Sequence, residues 1–319
     1  MVKKNSFKAP WWLANPHLQT VWGALFRRKP LLDLQEERIE LPDGDFLDLV
    51  WTRSKTNAPI VIILHGLNGS VHSRYAMGIL QAIQQRGLRG LLIHFRGCSG
   101  TLNRLPRAYH SGETGDLAQI VKLLQMREPN TPLYAVGYSL GGNVLLKWLG
   151  ETGRSNPLRA AVAVSVPFDL AKAADQLNTG FSRLYQWWLV RGLKQFHQRK
   201  FKGHPLENAF PNVEKMKTFW EFDDRVTAPL HGFSGAEAYY RESSSRQYLK
   251  NIGIPTVLIQ AKDDPFLPVS GLPEKSELSD FVSMALSEQG GHVGFIQGKF
   301  PWRAEYWLDN QIIEYLLRQ

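Results

Sequence analysis

A single cysteine, Cys98, stands among the 319 residues, so no intramolecular disulfide can staple the fold. No Cys/His cluster has metal-ligand spacing, and this cysteine usage fits a reducing compartment. Long apolar runs are also missing, since none approaches the ~18 residues of a membrane-spanning helix. Lys3, Lys4 and Lys8 are followed only by Trp11-Trp12-Leu13-Ala14 before Asn15-Pro16, too short for the apolar core of a signal peptide. Internal repeats and low-complexity tracts are absent. So are helix-turn-helix, zinc-finger and RNA-binding aromatic signatures, although the net charge is +9 and the pI about 9.6; charge without such a motif does not make a nucleic-acid footprint. These absences lead us to expect a cytoplasmic chain with no nucleic-acid partner.

What is present is a regular alternation of elements. Two short apolar-rich runs, Arg38 to Leu41 and Phe46 to Thr52, flank the turn residues Pro42-Asp43-Gly44-Asp45, which predicts a hairpin. Pro59 to Leu64 is a continuous β-branched run, the pattern of a strand buried on both faces. A helix near Tyr75 to Arg86, a strand at Arg89 to His94, a helix near Glu113 to Met126, a strand at Leu133 to Gly137, a helix from Leu140 to Leu149 and a strand at Ala160 to Val166 follow. Strands at Thr256 to Ala261 and near Phe281 to Leu286 and a helix from Ala304 to Leu317 complete the series. The fold class expected is α/β, a mostly parallel sheet of eight strands with helices on both faces. Residues 167–254 break the rhythm with an aromatic-rich, largely helical insert. Insertions at the carboxyl ends of strands lie where ligands bind, so within one domain spanning residues 1–319 this one reads as a lid, and residues 1–30 as an aromatic arm.

The chemistry is concentrated at strand ends. Gly137-Tyr138-Ser139-Leu140-Gly141 matches G-x-S-x-G, with a strand before it and a helix after it, the context of a nucleophile elbow. The flanking glycines are needed because larger neighbours would collide with the adjoining elements. On this plan an acid and then a histidine must follow the serine in chain order, each at a strand end. After the strand ending at Ala261 the only histidine is His292, in Gly290-Gly291-His292-Val293-Gly294. The acid falls in Lys262-Asp263-Asp264-Pro265; Asp264, directly before the proline, is preferred, with Asp263 as the alternative. Backbone donors for a developing oxyanion are expected at Leu140 and at Leu67 within His65-Gly66-Leu67-Asn68-Gly69. His65 precedes the serine and reads as a structural loop residue, and Cys98, with no adjacent base, as structural too. Such a set needs no metal and no organic cofactor.

Beyond these motifs, Asn15-Pro16-His17-Leu18-Gln19-Thr20, Phe95-Arg96-Gly97-Cys98-Ser99-Gly100, Phe222-Asp223, Gly232-Phe233 and Tyr239-Tyr240 resemble the YheT-like branch of the α/β-hydrolase superfamily, to which the mammalian ABHD-type lipases are related. The resemblance spans nearly the whole chain. It implies a serine carboxylesterase or lipase acting on short- to medium-chain acyl esters through Ser139, Asp264 and His292. An acyltransferase or thioesterase on the same fold is the alternative, and a non-catalytic binding protein a more remote one.

Between Asp175 and Glu207 no acidic residue occurs, while Arg183, Arg191, Lys194, Arg199, Lys200 and Lys202 alternate with Phe181, Leu184, Trp187, Trp188, Leu193 and Phe196. Such a mixture suits peripheral contact with an anionic membrane, or equally a helix that packs its aromatics on the core and solvates its basic face. Trp11, Trp12, Val21, Trp22, Leu25 and Phe26 before Arg27-Arg28-Lys29 pose the same choice, with a clamp over the end of the sheet as the plainer reading. The partner expected is a small ester or lipid substrate. Nothing in the sequence fixes its acyl length or head group, or the oligomeric state.

Overall fold

The strand pattern becomes a single large sheet in the computed structural model, which describes residues 2–4, 7–54 and 57–318. Residues 1 and 319, at the limits of the expected domain, and residues 5 and 6 of the expected arm lie outside the described residues. The strands of this sheet are β1 (Val2–Lys4), β2 (Leu34–Glu40), β3 (Phe46–Thr52), β4 (Ile60–Leu64), β5 (Arg89–Ile93), β6 (Leu133–Tyr138), β7 (Ala160–Val164), β8 (Thr256–Ala261) and β9 (Val282–Ser287); Ile296–Gln297 and Glu305–Tyr306 pair in a separate two-stranded sheet. Their spatial order is β1-β9-β8-β7-β6-β4-β5-β3-β2. The β2–β3 hairpin and the β3–β5 pairing are antiparallel and all others parallel.

All eight strands read from the sequence are in this sheet, which gains a ninth because Val2–Lys4 adds in parallel to the β9 edge. Three residues give too short a pattern to read. The hairpin's first strand begins at Leu34 instead of Arg38: as an edge strand with mostly polar side chains it lacks the apolar run by which a buried strand is recognised. β7 stops at Val164 because Ser165 turns into the left-handed region, φ 50°.

β4, the most apolar strand, lies between β5 and β6 and its five residues are buried. Two cores cover the sheet. On one face α3 (Gly115–Arg127) and α4 (Leu140–Thr152) contribute Ile120, Leu124, Leu145 and Leu149; on the other α2 (Arg74–Gln85) and the terminal helix Trp307–Leu317 contribute Ile79, Ile83, Ile312 and Ile313. Chain order reverses at β4, with β5 on one side and β6 on the other, and the crevice outside the carboxyl ends at such a reversal is where open α/β sheets bind ligands.

The signature Phe95-Arg96-Gly97 has a structural task. Arg96, buried after β5, donates to Asp43 and Asp45 of the hairpin turn and to Asp116 at the start of α3. These carboxylates raise its already high pKa. Arg96→Met leaves Asp45 and Asp116 buried without their cation, and breaking a buried ion pair from one side costs about 3–5 kcal/mol. Urea denaturation of the variant should show a loss of that size; a loss under about 1 kcal/mol, the worth of a surface pair, contradicts this reading.

The insert between β7 and β8 is helical, as its pattern predicts. Its longer helices are α5 (Leu170–Leu177), α6 (Ser182–Phe201) and the segment Ala236–Ser243. It builds two small apolar clusters of its own, one around Leu170, Ala174, Ala228 and Tyr240 and another around Val213, Met216, Phe222 and Val226. Among the described residues no helix is long and apolar enough to cross a membrane.

Candidate active site

Ser139 sits between the end of β6 and the start of α4 with φ 52° and ψ −119°, a conformation that costs a non-glycine residue about 1–3 kcal/mol. The chain around it is crowded: a Cβ on Gly137 would lie 2.5 Å from the Gly141 carbonyl oxygen, and one on Gly141 2.5 Å from the carbonyl oxygens of Leu64 and His65. Glycine at both positions lets strand, turn and helix close up and hold the serine in its strained conformation.

The structure brings together the serine, the histidine and one of the two aspartates. His292 Nε2 lies 3.0 Å from Ser139 Oγ, and its Nδ1 lies 2.9 Å from Asp264 Oδ2 and 3.1 Å from Oδ1. With Nδ1 facing a carboxylate, that nitrogen holds the proton of the neutral ring, leaving Nε2 to accept from the serine hydroxyl. Asp264 is itself buried and fixed: it accepts from the Phe266 N–H at 2.8 Å and from Gln260 Nε2 at 3.1 Å. Asp263 faces elsewhere. It accepts at 2.9 Å from the N–H of Gly291, the residue before the histidine, and burial raises its pKa above the usual carboxylate range.

The backbone donors are placed as follows. Leu140 is the first residue of α4, so its N–H has no acceptor within the helix. In the loop after β4, Gly66 N–H donates to Tyr75, Asn68 N–H to Tyr109 and Gly69 N–H to the Gly66 carbonyl. The Leu67 N–H alone of these is left without an acceptor among the described residues. That loop passes close to the serine, since a Cβ on Gly66 would lie 3.4 Å from Ser139 Cβ. His65 donates through Nδ1 to the Gly66 carbonyl and accepts through Nε2 from the Phe95 N–H, and burial pushes its pKa down to about 3. It is a neutral pin for the loop. Burial pushes the Cys98 thiol up to about 12, so it stays protonated and unreactive near neutrality.

Several residues that hold the histidine escaped the sequence reading. Val293 and Phe295 have φ 57° and 48°, and a β-branched residue there is a genuine outlier. The strained loop is pinned by the Thr20 hydroxyl, which accepts from His292 N–H at 3.0 Å, and by the Ser165 hydroxyl, which accepts from Val293 N–H at 2.9 Å. The Phe266 ring stacks on the imidazole, centroids 3.9 Å apart. Buried Gln19 donates to the carbonyls of Leu13 and Ile296 and accepts from Ile296 N–H. The amino-terminal arm, with α1 (Pro16–Phe26), therefore clasps the histidine loop and not merely the end of the sheet. The run Asn15 to Thr20 was a visible signal without a visible partner.

Above Ser139 and His292 opens a cavity of about 1080 Å³. Its walls come from α1, the loop after β4 and the insert, with Leu18, Leu177, Leu184, Trp187, Trp188 and Phe266 among the lining residues. Asp223 also lines it. This buried carboxyl accepts from the hydroxyls of Thr227 and Tyr240 at 2.6 and 2.7 Å, yet burial still pushes its pKa up to about 6. Between the unfolded value near 4 and about 6 the folded chain binds more protons, so stability falls as pH rises through that window and stays lower above it. Asp223→Asn should remove this dependence. We expect the variant to be more stable than wild type in urea at pH 8, by at most roughly 3 kcal/mol, with no gain at pH 4; an equal effect at both values contradicts the assignment.

Comparisons with known proteins agree with one another. Residues 59–299 match the model of the family described as alpha/beta hydrolase fold. YheT of Escherichia coli (strain K12), which carries a proposed esterase name, is 42% identical over 95% of this chain and 90% of its own length. Phospholipase ABHD3 of Mus musculus is 28% identical over 92% of this chain and 74% of its own. Among solved structures, the Pyrococcus furiosus esterase Pf2001 superposes with a TM-score of 0.60 at 19% identity, covering 100% of this chain and 98% of that one.

Proposed function

The chain belongs to the α/β-hydrolase family, in the branch that holds YheT and ABHD3, and on that premise we propose that it is a carboxylic ester hydrolase working through an acyl-enzyme on Ser139. The observation that carries the proposal is the continuous hydrogen-bonded chain Ser139–His292–Asp264 at the base of a large cavity with many apolar lining residues. His292 Nε2 takes the serine proton as Oγ attacks the ester carbonyl. Asp264 holds the ring in the required tautomer and stabilises the imidazolium. The N–H groups of Leu140 and Leu67 receive the oxyanion, fixed before reaction and so needing no reorganisation. The protonated ring then gives its proton to the leaving alkoxide, and water, activated by the same nitrogen, hydrolyses the acyl-enzyme.

The lining residues favour acyl esters, with the insert 167–254 as the lid over the acyl group. A series of p-nitrophenyl esters from acetate to palmitate tests the substrate reading. We expect kcat/KM to rise from acetate into the medium-chain range, because each added methylene buried in an apolar site contributes about 0.8 kcal/mol. A flat response across the series would sink the acyl-pocket assignment without touching the mechanism.

A further inference from the structure

The two helices at the cavity mouth present large apolar side chains that the fold leaves more than half exposed. α6 buries Tyr185, Gln186, Leu189, Val190 and His197, so its inner face is complete without its tryptophans. Trp187 and Trp188 are 54% and 61% exposed, Phe181 and Leu184 similarly so, and on α1 Leu25 and Phe26 are 59% and 61% exposed. The helices meet where His17 packs on Phe181 and donates or accepts a hydrogen bond with the Tyr185 hydroxyl, and Leu25, Leu184, Trp187 and Trp188 line the same cavity. An exposed apolar rim of this extent around a site entrance marks an interaction surface.

Its charge selects the partner. α6 carries five cations and no carboxylate, and α1 has no carboxylate and runs into Arg27-Arg28-Lys29. Arg28, Arg183 and Arg191 are exposed and form no ion pair among the described residues, while the Arg191 guanidinium lies over the Trp187 ring. Tryptophan interleaved with cations fits the interface of an anionic bilayer, where rings sit at head-group level and cations meet lipid phosphates. A second copy of this surface would set cations against cations.

We propose that the rim formed by α1 and α6 docks the protein on anionic lipid surfaces, turning the cavity mouth toward the bilayer. The docking is independent of the serine chemistry; only its use, drawing an acyl ester directly from the membrane, rests on the proposed function.

The test is flotation of the full chain with vesicles of phosphatidylcholine alone and of phosphatidylcholine with equimolar phosphatidylglycerol. Wild type should float with the mixed vesicles, with a blue shift in tryptophan emission, and be released by salt. The variant Arg28→Glu/Arg183→Glu/Arg191→Glu, which replaces no cavity-lining residue, should bind mixed vesicles at least about a hundredfold more weakly, at about 1 kcal/mol per lost cation near the surface. Its turnover of a soluble ester should match wild type, which shows that it is folded. Phe26→Ser should weaken binding to the mixed vesicles at low salt. Ser139→Ala should float as wild type does, which separates failure of docking from failure of the esterase reading. No flotation of wild type, equal flotation with both compositions, or a salt-stable dimer that hides the tryptophans would overturn the proposal.

Discussion

Ser139→Ala is expected to lower kcat for a p-nitrophenyl ester by about 10⁵–10⁶-fold while leaving KM within a few-fold, the scale on which removal of a serine nucleophile acts in other hydrolases. The reason is local. The hydroxyl is the group aligned 3.0 Å from His292 Nε2, and removing it leaves the loop donors and the cavity in place. Binding should therefore survive while the acyl-enzyme cannot form. The substitution removes one oxygen from a position whose backbone is held by Gly137 and Gly141 packing, so the thermal midpoint should change little. Loss of ester binding together with kcat would mean instead that the strained turn had collapsed, and a retained rate would mean that another group attacks.

The second large effect distinguishes the two neighbouring aspartates. Asp264→Asn should reduce kcat roughly 10⁴-fold, as the corresponding change does in serine proteases, because an amide nitrogen facing Nδ1 favours the wrong imidazole tautomer. Asp263→Asn should cost less than about tenfold: an amide oxygen can still accept from the Gly291 N–H, so the histidine loop stays in place. Steady-state rates of the two variants side by side measure the contrast. Equal losses would show that both carboxylates act on the imidazole, and a larger loss at Asp263 would reverse the roles.

The order of elements was legible because a mostly parallel sheet writes itself into the chain. β4 and β7 are continuous apolar runs and β6 is nearly so, each followed by turn residues and then by helical spacing. The elbow was legible for the same reason, since its crowding demands glycines at fixed offsets. The order rule singled out His292 from nine histidines. What stayed hidden depends on partners distant in sequence. Gln19 meets Ile296 across 277 residues, and Val293 meets Ser165 across 128; neither pair has a periodicity or composition to betray it. The arm's tryptophans divide in a way composition could not show. Trp12 donates to the Gly298 carbonyl and packs on Trp22, whereas Trp11 is 79% exposed. The aromatics of α6 divide likewise, with Tyr185 turned inward and Trp187 and Trp188 outward, because 3.6 residues per turn place them on different faces.

The central claim is that Ser139 becomes covalently acylated, and treatment with a fluorophosphonate followed by mass spectrometry of the digested chain tests it most directly. The account predicts one adduct per chain, on the peptide carrying Ser139, with ester hydrolysis lost in proportion to labelling and no adduct in Ser139→Ala. Full labelling of Ser139 with hydrolysis intact, or inactivation by an adduct on a different residue, would contradict it.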